Sequence, residues 1–295
     1  MFLFEQIDSA RKFGAYKELP KYIPENLTQN YELRKYQEDA FRNFITYFEN
    51  EELRQKPTQT LFHMATGSGK TIIMAGLIIY LYKKGYRNFL FFVNSDNIVK
   101  KTKENFLNRR SIKYLFADEI NIDGEFVKIK EADNFQTCFS DDINICFTTV
   151  QGLHMDMTFA KENSMTFDDF AEQKVVLLGD EAHHLNAQTK KGKLSKTEQD
   201  ENNTWENTIT RIFRANNQNV LLEFTATCDL KNPYVLREYE QKIIFDYPLS
   251  RFREDKFSKE VKTLESLRNL ILPLSIRFFI YQRIKNRIKR DRYYS

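Results

Sequence analysis

From about residue 60 onward, apolar residues gather in short, almost unbroken runs. They are "TLFHM" (60–64), "NFLFFV" (88–93), "INICFTTV" (143–150), "KVVLLGD" (174–180), "NVLLEFT" (219–225) and "KIIFDY" (242–247). Runs of this kind read as strands buried on both faces, which fits a mostly parallel sheet with helices on both faces. Between them lie helical patterns at 71–83, at 96–107 with Ser95 or Asp96 as N-cap, and at 205–215. Strand–helix–strand alternation predicts an open, doubly wound α/β layer.

Two stretches interrupt the alternation. Residues 111–142 contain "NIDGEFVKI", where Asp123-Gly124 between apolar flanks predicts a hairpin insertion. Residues 186–204 are polar and nearly free of apolar side chains, so a mobile surface loop is expected. There is no internal repeat. From "SLRNLILPLSIRFF" the chain turns apolar and then basic, and Ile280, Ile284 and Ile288 predict a short helical C-terminal extension with one apolar stripe.

Composition narrows the class. The 295 residues are 41 % hydrophobic and 29 % charged, as in a globular protein with a sizeable core. Formal net charge is +4, but residues 276–295 carry seven Lys/Arg against one acid, which leaves two more acids than bases elsewhere. Bulk charge therefore announces no polyanion partner, and any nucleic-acid reading must rest on motifs. Cys138, Cys146 and Cys228 lack metal-ligand spacing and read as small hydrophobes in a reducing compartment. The first residues, "MFLFEQIDSARKFG", lack the apolar stretch of a signal peptide, and the apolar run between Lys70 and Lys83 is too short to span a bilayer. A cytoplasmic location without membrane contact is expected.

The candidate chemistry starts at "ATGSGKT" (65–71), between a strand and a helix. Glycines admit backbone conformations closed to other residues and let a phosphate approach the main chain. Amides around Gly67, Ser68 and Gly69 can then face an anion, aided by the positive end of the following helix. Lys70 can reach the β- and γ-phosphates of ATP, and Thr71 offers a hydroxyl to Mg²⁺. The usual pattern wants a glycine where this chain has Met64. A Gly-Ser turn beside an incidental lysine is the competing reading, and the strand–loop–helix setting argues against it. The second half of a nucleotide site is "VVLLGDEAHH" (175–184). Asp180, ending a buried strand, can hold Mg²⁺, and Glu181 can orient and deprotonate the attacking water. His183 and His184 have no third ligand at metal spacing; His183 is expected to hydrogen-bond across the site and His184 to be structural.

"ATGSGKT" and "DEAH" in this order resemble motifs I and II of superfamily 2 helicases and translocases, "ATGSGKT" being the variant found in many helicase-like ATPases. "YELRKYQEDA" (31–40) resembles the motif whose glutamine, here Gln37, reads adenine through a paired amide hydrogen bond. "FTATC" (224–228) resembles motif III, which implies that Thr225 and Thr227 couple the nucleotide site to the nucleic-acid track, with His183 beside them. "VNSDNIVKKTKENF" and "FTTVQGLH" resemble motifs Ia and Ib, which touch the strand backbone in that superfamily. Within it, "GDEAHHLNAQTKKGK", "TWENTITRIF" and "EFTATCDLKNP" look specifically like the Res subunit of type III restriction–modification enzymes, over roughly residues 30–260. The resemblance implies a RecA-like P-loop NTPase lobe, ATP and Mg²⁺, double-stranded DNA as track, and a methyltransferase (Mod) subunit as partner.

That family closes ATP between two lobes. Here 68 residues follow Thr227, and one strand–helix–strand unit takes about 30 or more. The expectation is a first lobe without the second lobe's arginine fingers or the nuclease domain. A missing arginine finger costs ~10³–10⁵ in rate, so ATP binding with weak hydrolysis is expected. "REDK" (253–256) reads as a solvated charge run. The expected organisation is an N-terminal extension (1–30), a helicase ATP-binding domain (31–250) and a basic helical tail (251–295). The tail reads either as a grip on DNA or an anionic surface, or as the end of an interrupted reading frame; the second is preferred because the resemblance fades where the tail begins. Competing functions are a type I restriction motor or another superfamily 2 translocase fragment, and a non-hydrolysing nucleotide-binding module that works with a partner.

Overall fold

The computed structural model describes residues 1–136, 141–159, 165–181 and 206–258. The chain forms two units, Met1–Ser258 and Lys259–Ser295. The second lies outside the described residues, as do Cys138, His183, His184 and the polar loop 186–204. In the first unit the helices are α1 (Leu3–Lys12), α2 (Tyr22–Glu25), α3 (Lys35–Phe48), α4 (Lys70–Lys83), α5 (Asp96–Leu107), α6 (Val150–Thr158), α7 (Phe167–Glu172), α8 (206–214), α9 (Pro233–Tyr239) and α10 (Leu249–Glu254). The strands are β1 (Thr58–Met64), β2 (Asn88–Val93), β3 (Ile120–Ile122), β4 (Glu125–Val127), β5 (Ile129–Glu131), β6 (Ile143–Thr149), β7 (Val175–Asp180), β8 (Val220–Thr225) and β9 (Ile243–Tyr247).

Side chains alternate across a strand, and that alternation divides the core in two. Phe62, Phe89, Phe91, Val176, Leu178, Leu222 and Phe224 enter one layer with α1, α3, α4 and α5. Leu61, Leu90, Phe92, Val175, Leu177 and Leu221 enter the other with α6 to α9. Seven strands form a sheet in the order β5-β6-β2-β7-β8-β1-β9, and every pairing in it is parallel. This is the mostly parallel α/β layer with helices on both faces that the strand–helix alternation predicts. The hairpin is there too: β3 and β4 pair antiparallel, and Asp123 (φ 57°) and Gly124 (φ 89°) take the two left-handed conformations that a type I′ turn requires. The three hairpin and insertion strands β3–β5 occupy the expected interruption.

The first 30 residues share this core. Leu3 and Ile7 of α1 are buried, and the Leu3 amide donates to the Glu240 carbonyl at 3.0 Å. Ile23 and Leu27 are buried in the same core layer. Among the described residues no helix is long and apolar enough to cross a membrane. The central helix, α4, is buried from Ile72 to Tyr82, which explains an apolar sequence on every side. At its middle Gly76 lets α3 approach: a Cβ there would lie 2.4 Å from Phe41 Cζ, inside the core. Gly76→Ala should therefore cost about 1–3 kcal/mol from overpacking, more than the ~1 kcal/mol it gains in helix propensity. A lower urea midpoint with unchanged far-UV circular dichroism checks this.

Candidate nucleotide-binding site

The cleft forms where β1, β8 and β7 end. β8 lies between the other two, so the loop after β1 and the acids ending β7 stand two strand spacings apart, ~10 Å. The loop is anchored at its base, where the Ala65 amide donates to the Tyr247 carbonyl at 3.0 Å and the Ser68 amide to the Ala65 carbonyl at 3.2 Å. Gly67 (φ 79°) and Gly69 (φ 88°) are left-handed, and Gly69 is the N-cap residue of α4. At Gly69 a Cβ would also lie 2.4 Å from Gln37 Nε2, so a side chain there would displace the Gln37 amide from the loop. Among the described residues neither the Gly67 nor the Gly69 N–H donates a hydrogen bond, and the buried Ser68 hydroxyl has no partner. Together with the unsatisfied N–H groups of the first helical turn, these donors suit an anion.

A cleft of about 770 Å³ opens over the loop. It brings together nine residues singled out from the sequence: Gln37, Gly67, Ser68, Gly69, Lys70, Thr71, Asp180, Glu181 and Thr227. Thr225 stands behind them, buried, accepting from the Thr227 amide at 3.2 Å and donating to the Thr227 carbonyl at 3.0 Å. It shapes the turn that presents Thr227. Gln37 is more committed than an adenine reader needs to be. Its Nε2 donates to the Ser68 carbonyl at 2.9 Å and its Oε1 accepts from the Arg34 amide at 2.9 Å. A carboxamide has two N–H groups and two lone pairs, so one donor and one acceptor remain.

Lys70 is largely buried, and its Nζ donates to the carbonyls of Met64 at 3.3 Å and Ala65 at 3.4 Å. Burial lowers its pKa, while the charges of Asp180 and Glu181 oppose that fall. Burial raises the Asp180 pKa; Lys70 pulls the other way, as does the Glu181 amide, which donates to Asp180 Oδ1 at 3.0 Å. Glu181 itself is left-handed at φ 56°, a strained conformation for a residue with a side chain and one that recurs at functional sites. The oxygens of Thr71 and Asp180 are the hard donors that Mg²⁺ takes. Among the described residues no cluster of three or more His, Cys, Asp or Glu could hold a metal, so phosphate and water would have to complete the shell.

The opposite wall was not singled out in the sequence. Tyr31, Arg34, Asn105, Lys113 and Leu115 line the same cleft. They are assembled by long-range bonds: Thr28 N to the Leu115 carbonyl at 2.9 Å, Ala117 N to the Asn26 carbonyl at 3.0 Å, and Tyr31 Oη to the Ile112 carbonyl at 3.3 Å. Tyr31 and Arg34 lie within the quoted "YELRKYQEDA" and Asn105 within the quoted "VNSDNIVKKTKENF", and had that much signal. Lys113 had none.

Because burial raises the Asp180 pKa, its charged form costs the unliganded fold stability. That stability is full below the unfolded carboxylate range near 3.8 and is lost as pH rises through the raised folded value. Asp180→Asn should thus raise the thermal midpoint above wild type at about pH 7, with the gap closing toward about pH 4. Melting curves across that range check the sign.

Comparison with known proteins places the chain among restriction enzymes. The family model "Type III restriction enzyme, res subunit" matches residues 30–230. A probable type III restriction-modification enzyme HindVIP Res subunit of Haemophilus influenzae is 38% identical over 270 residues, covering 84% of this chain and 52% of that protein. The chain thus spans about half the length of this curated relative. Among solved structures, the UvsW helicase from bacteriophage T4 is 15% identical with a TM-score of 0.44, over 84% of this chain and 77% of that one. A nuclease-deletion mutant of the type ISP restriction-modification enzyme LlaGI, in complex with a DNA substrate mimic, is 15% identical with a TM-score of 0.41, over 78% and 21%.

Proposed function

Because this chain belongs to the family of type III restriction enzyme Res subunits, we propose that Met1–Ser258 is the ATP-binding first motor lobe of a DNA translocase, fuelled by Mg²⁺–ATP. The observation that carries the proposal is the company kept in one cleft: undonated amides at Gly67 and Gly69, a buried ammonium at Lys70, and the Asp180–Glu181 pair two strands away.

Each residue then has a distinct task. The main-chain amides of residues 67–71 grip the triphosphate, and Lys70 exchanges its two carbonyl partners for the β- and γ-phosphate oxygens, a stronger charge-assisted contact. Thr71 and Asp180 would hold Mg²⁺, which neutralises charge on the transferred phosphoryl group when bound. Glu181 orients the attacking water and accepts its proton. The remaining donor and acceptor of Gln37 match the N7 acceptor and N6 donor edge of adenine. Thr225 and Thr227 link this cleft to a double-stranded DNA track, a role shared with His183, which lies outside the described residues. A methyltransferase (Mod) subunit supplies sequence recognition, and the complex works in the cytoplasm. Among the described residues Arg34 is the one arginine at the cleft, and it is held over the Phe257 ring at 4.5 Å. Engaged there, it is not assigned the part of an arginine finger, and in this reading the chain by itself binds ATP and turns it over slowly.

Titration of the full chain with Mg²⁺–ATP tests this. Lys70→Ala should weaken binding at least tenfold, the scale of one or more charged hydrogen bonds (about 1.5–3 kcal/mol each). Glu181→Gln should bind as wild type and lose residual hydrolysis. Wild-type protein that does not bind Mg²⁺–ATP refutes the proposal; robust DNA-stimulated turnover by this chain, abolished in Lys70→Ala, refutes the slow-turnover part. Separately, Gln37→Ala should weaken ATP more than GTP in competition, and equal losses would remove Gln37 from base recognition.

A further inference from the structure

Tyr36 and Gln37 are consecutive residues that donate to the same atom. Tyr36 Oη reaches the Ser68 carbonyl at 2.8 Å and Gln37 Nε2 reaches it at 2.9 Å. Two donors fill the two lone pairs of a carbonyl oxygen. A planar trans peptide sets C=O and the next N–H on opposite sides, so holding the Ser68 carbonyl also sets the direction of the Gly69 N–H. Gly69 is among the loop residues whose N–H donates no hydrogen bond among the described residues.

Tyr36 is in turn gripped by an aromatic rack. Its ring stacks on Tyr247 with centroids 4.2 Å apart and planes 12° from parallel. Phe257 lies 5.4 Å away on a tilt, and Phe252 meets the ring edge-on at 6.1 Å. The Tyr247 hydroxyl donates to Asp255, while the Tyr247 carbonyl receives the Ala65 amide at the base of the loop. The rack therefore joins the phosphate loop to the last turns before the chain leaves the first unit at Ser258. Burial raises the Tyr36 pKa above the ordinary phenol value.

We propose that Tyr36 is a positioning residue for the phosphate loop, held by Tyr247 and Phe257, and that this rack makes the loop's grip depend on residues 249–258. The proposal rests on the reading of the cleft as a nucleotide site. A residue that acts through the loop affects every nucleotide alike, whereas one that reads the base does not.

The test measures Mg²⁺–ATP and Mg²⁺–GTP affinities of the full chain as wild type, Tyr36→Phe and Phe257→Leu, with melting curves as a folding control. Tyr36→Phe keeps the ring and loses the hydroxyl; it should weaken both nucleotides about three- to tenfold, the worth of one net hydrogen bond, at an unchanged ATP/GTP ratio. Phe257 is 41% exposed, so its replacement spares the core, and Phe257→Leu should weaken both nucleotides by a smaller factor. If wild type binds neither nucleotide, the cleft reading falls and takes this proposal with it. If wild type binds and Tyr36→Phe binds equally well, Tyr36 has no positioning role and the cleft reading survives. A changed ATP/GTP ratio in Tyr36→Phe would make Tyr36 a base reader and overturn the proposal. Unchanged affinity in Phe257→Leu would cut the rack from the loop and overturn that part.

Discussion

The interposition of β8 between β1 and β7 sets the scale of the whole site. Neighbouring strands would leave ~5 Å between the loop and the acids, enough for Lys70 and Asp180 to collapse into a contact ion pair. Three spacings, ~14 Å, would carry Asp180 beyond a cation shared with Thr71. At two spacings a gap remains that is wide enough for phosphate and a hydrated metal. Register keeps it in place: Asp180 pairs with Phe224, and Phe224 pairs with Phe62 on β1, where the two rings stack at 4.7 Å. The apolar core thus holds the polar groups apart.

The groups held apart are costly to the unliganded protein. Burial weighs against charge on both Lys70 and Asp180, Glu181 sits in a left-handed backbone, and the buried Ser68 hydroxyl is unmatched. A fold selected for stability alone would shed such features, and their concentration at two strand ends is what a functional site looks like. An anion and a divalent cation would relieve several of them at once.

Around this cleft, segments distant in sequence do the supporting. The stretch 26–31 pairs with 112–117 to raise one wall, and α1 docks at residue 240 through the Leu3 amide. The loop carbonyl at Ser68 is shared by two consecutive side chains of α3, one of them stacked on the end of β9. The cleft, the N-terminal 30 residues and the turns after β9 are one packed body.

Much of this was legible in the chain. Six of the strands, the crossover helices and the Asp123-Gly124 turn announce themselves locally, as do the residues 67–71, Asp180 and Glu181 that the fold gathers into one candidate cleft, because period, turn chemistry and glycine loops act within a few residues. The Res-subunit family was legible too, through motif order. Tertiary structure decided the rest: the strand order, the divided loyalty of Gln37, the second donor at Tyr36, and the wall containing Asn105 and Lys113. Those depend on bonds such as Tyr31 to Ile112, 81 residues apart, and Tyr36 to Ser68, 32 apart. A hydrogen bond between distant residues imposes no period on either segment, so it leaves no mark in the sequence until the chain has closed around it.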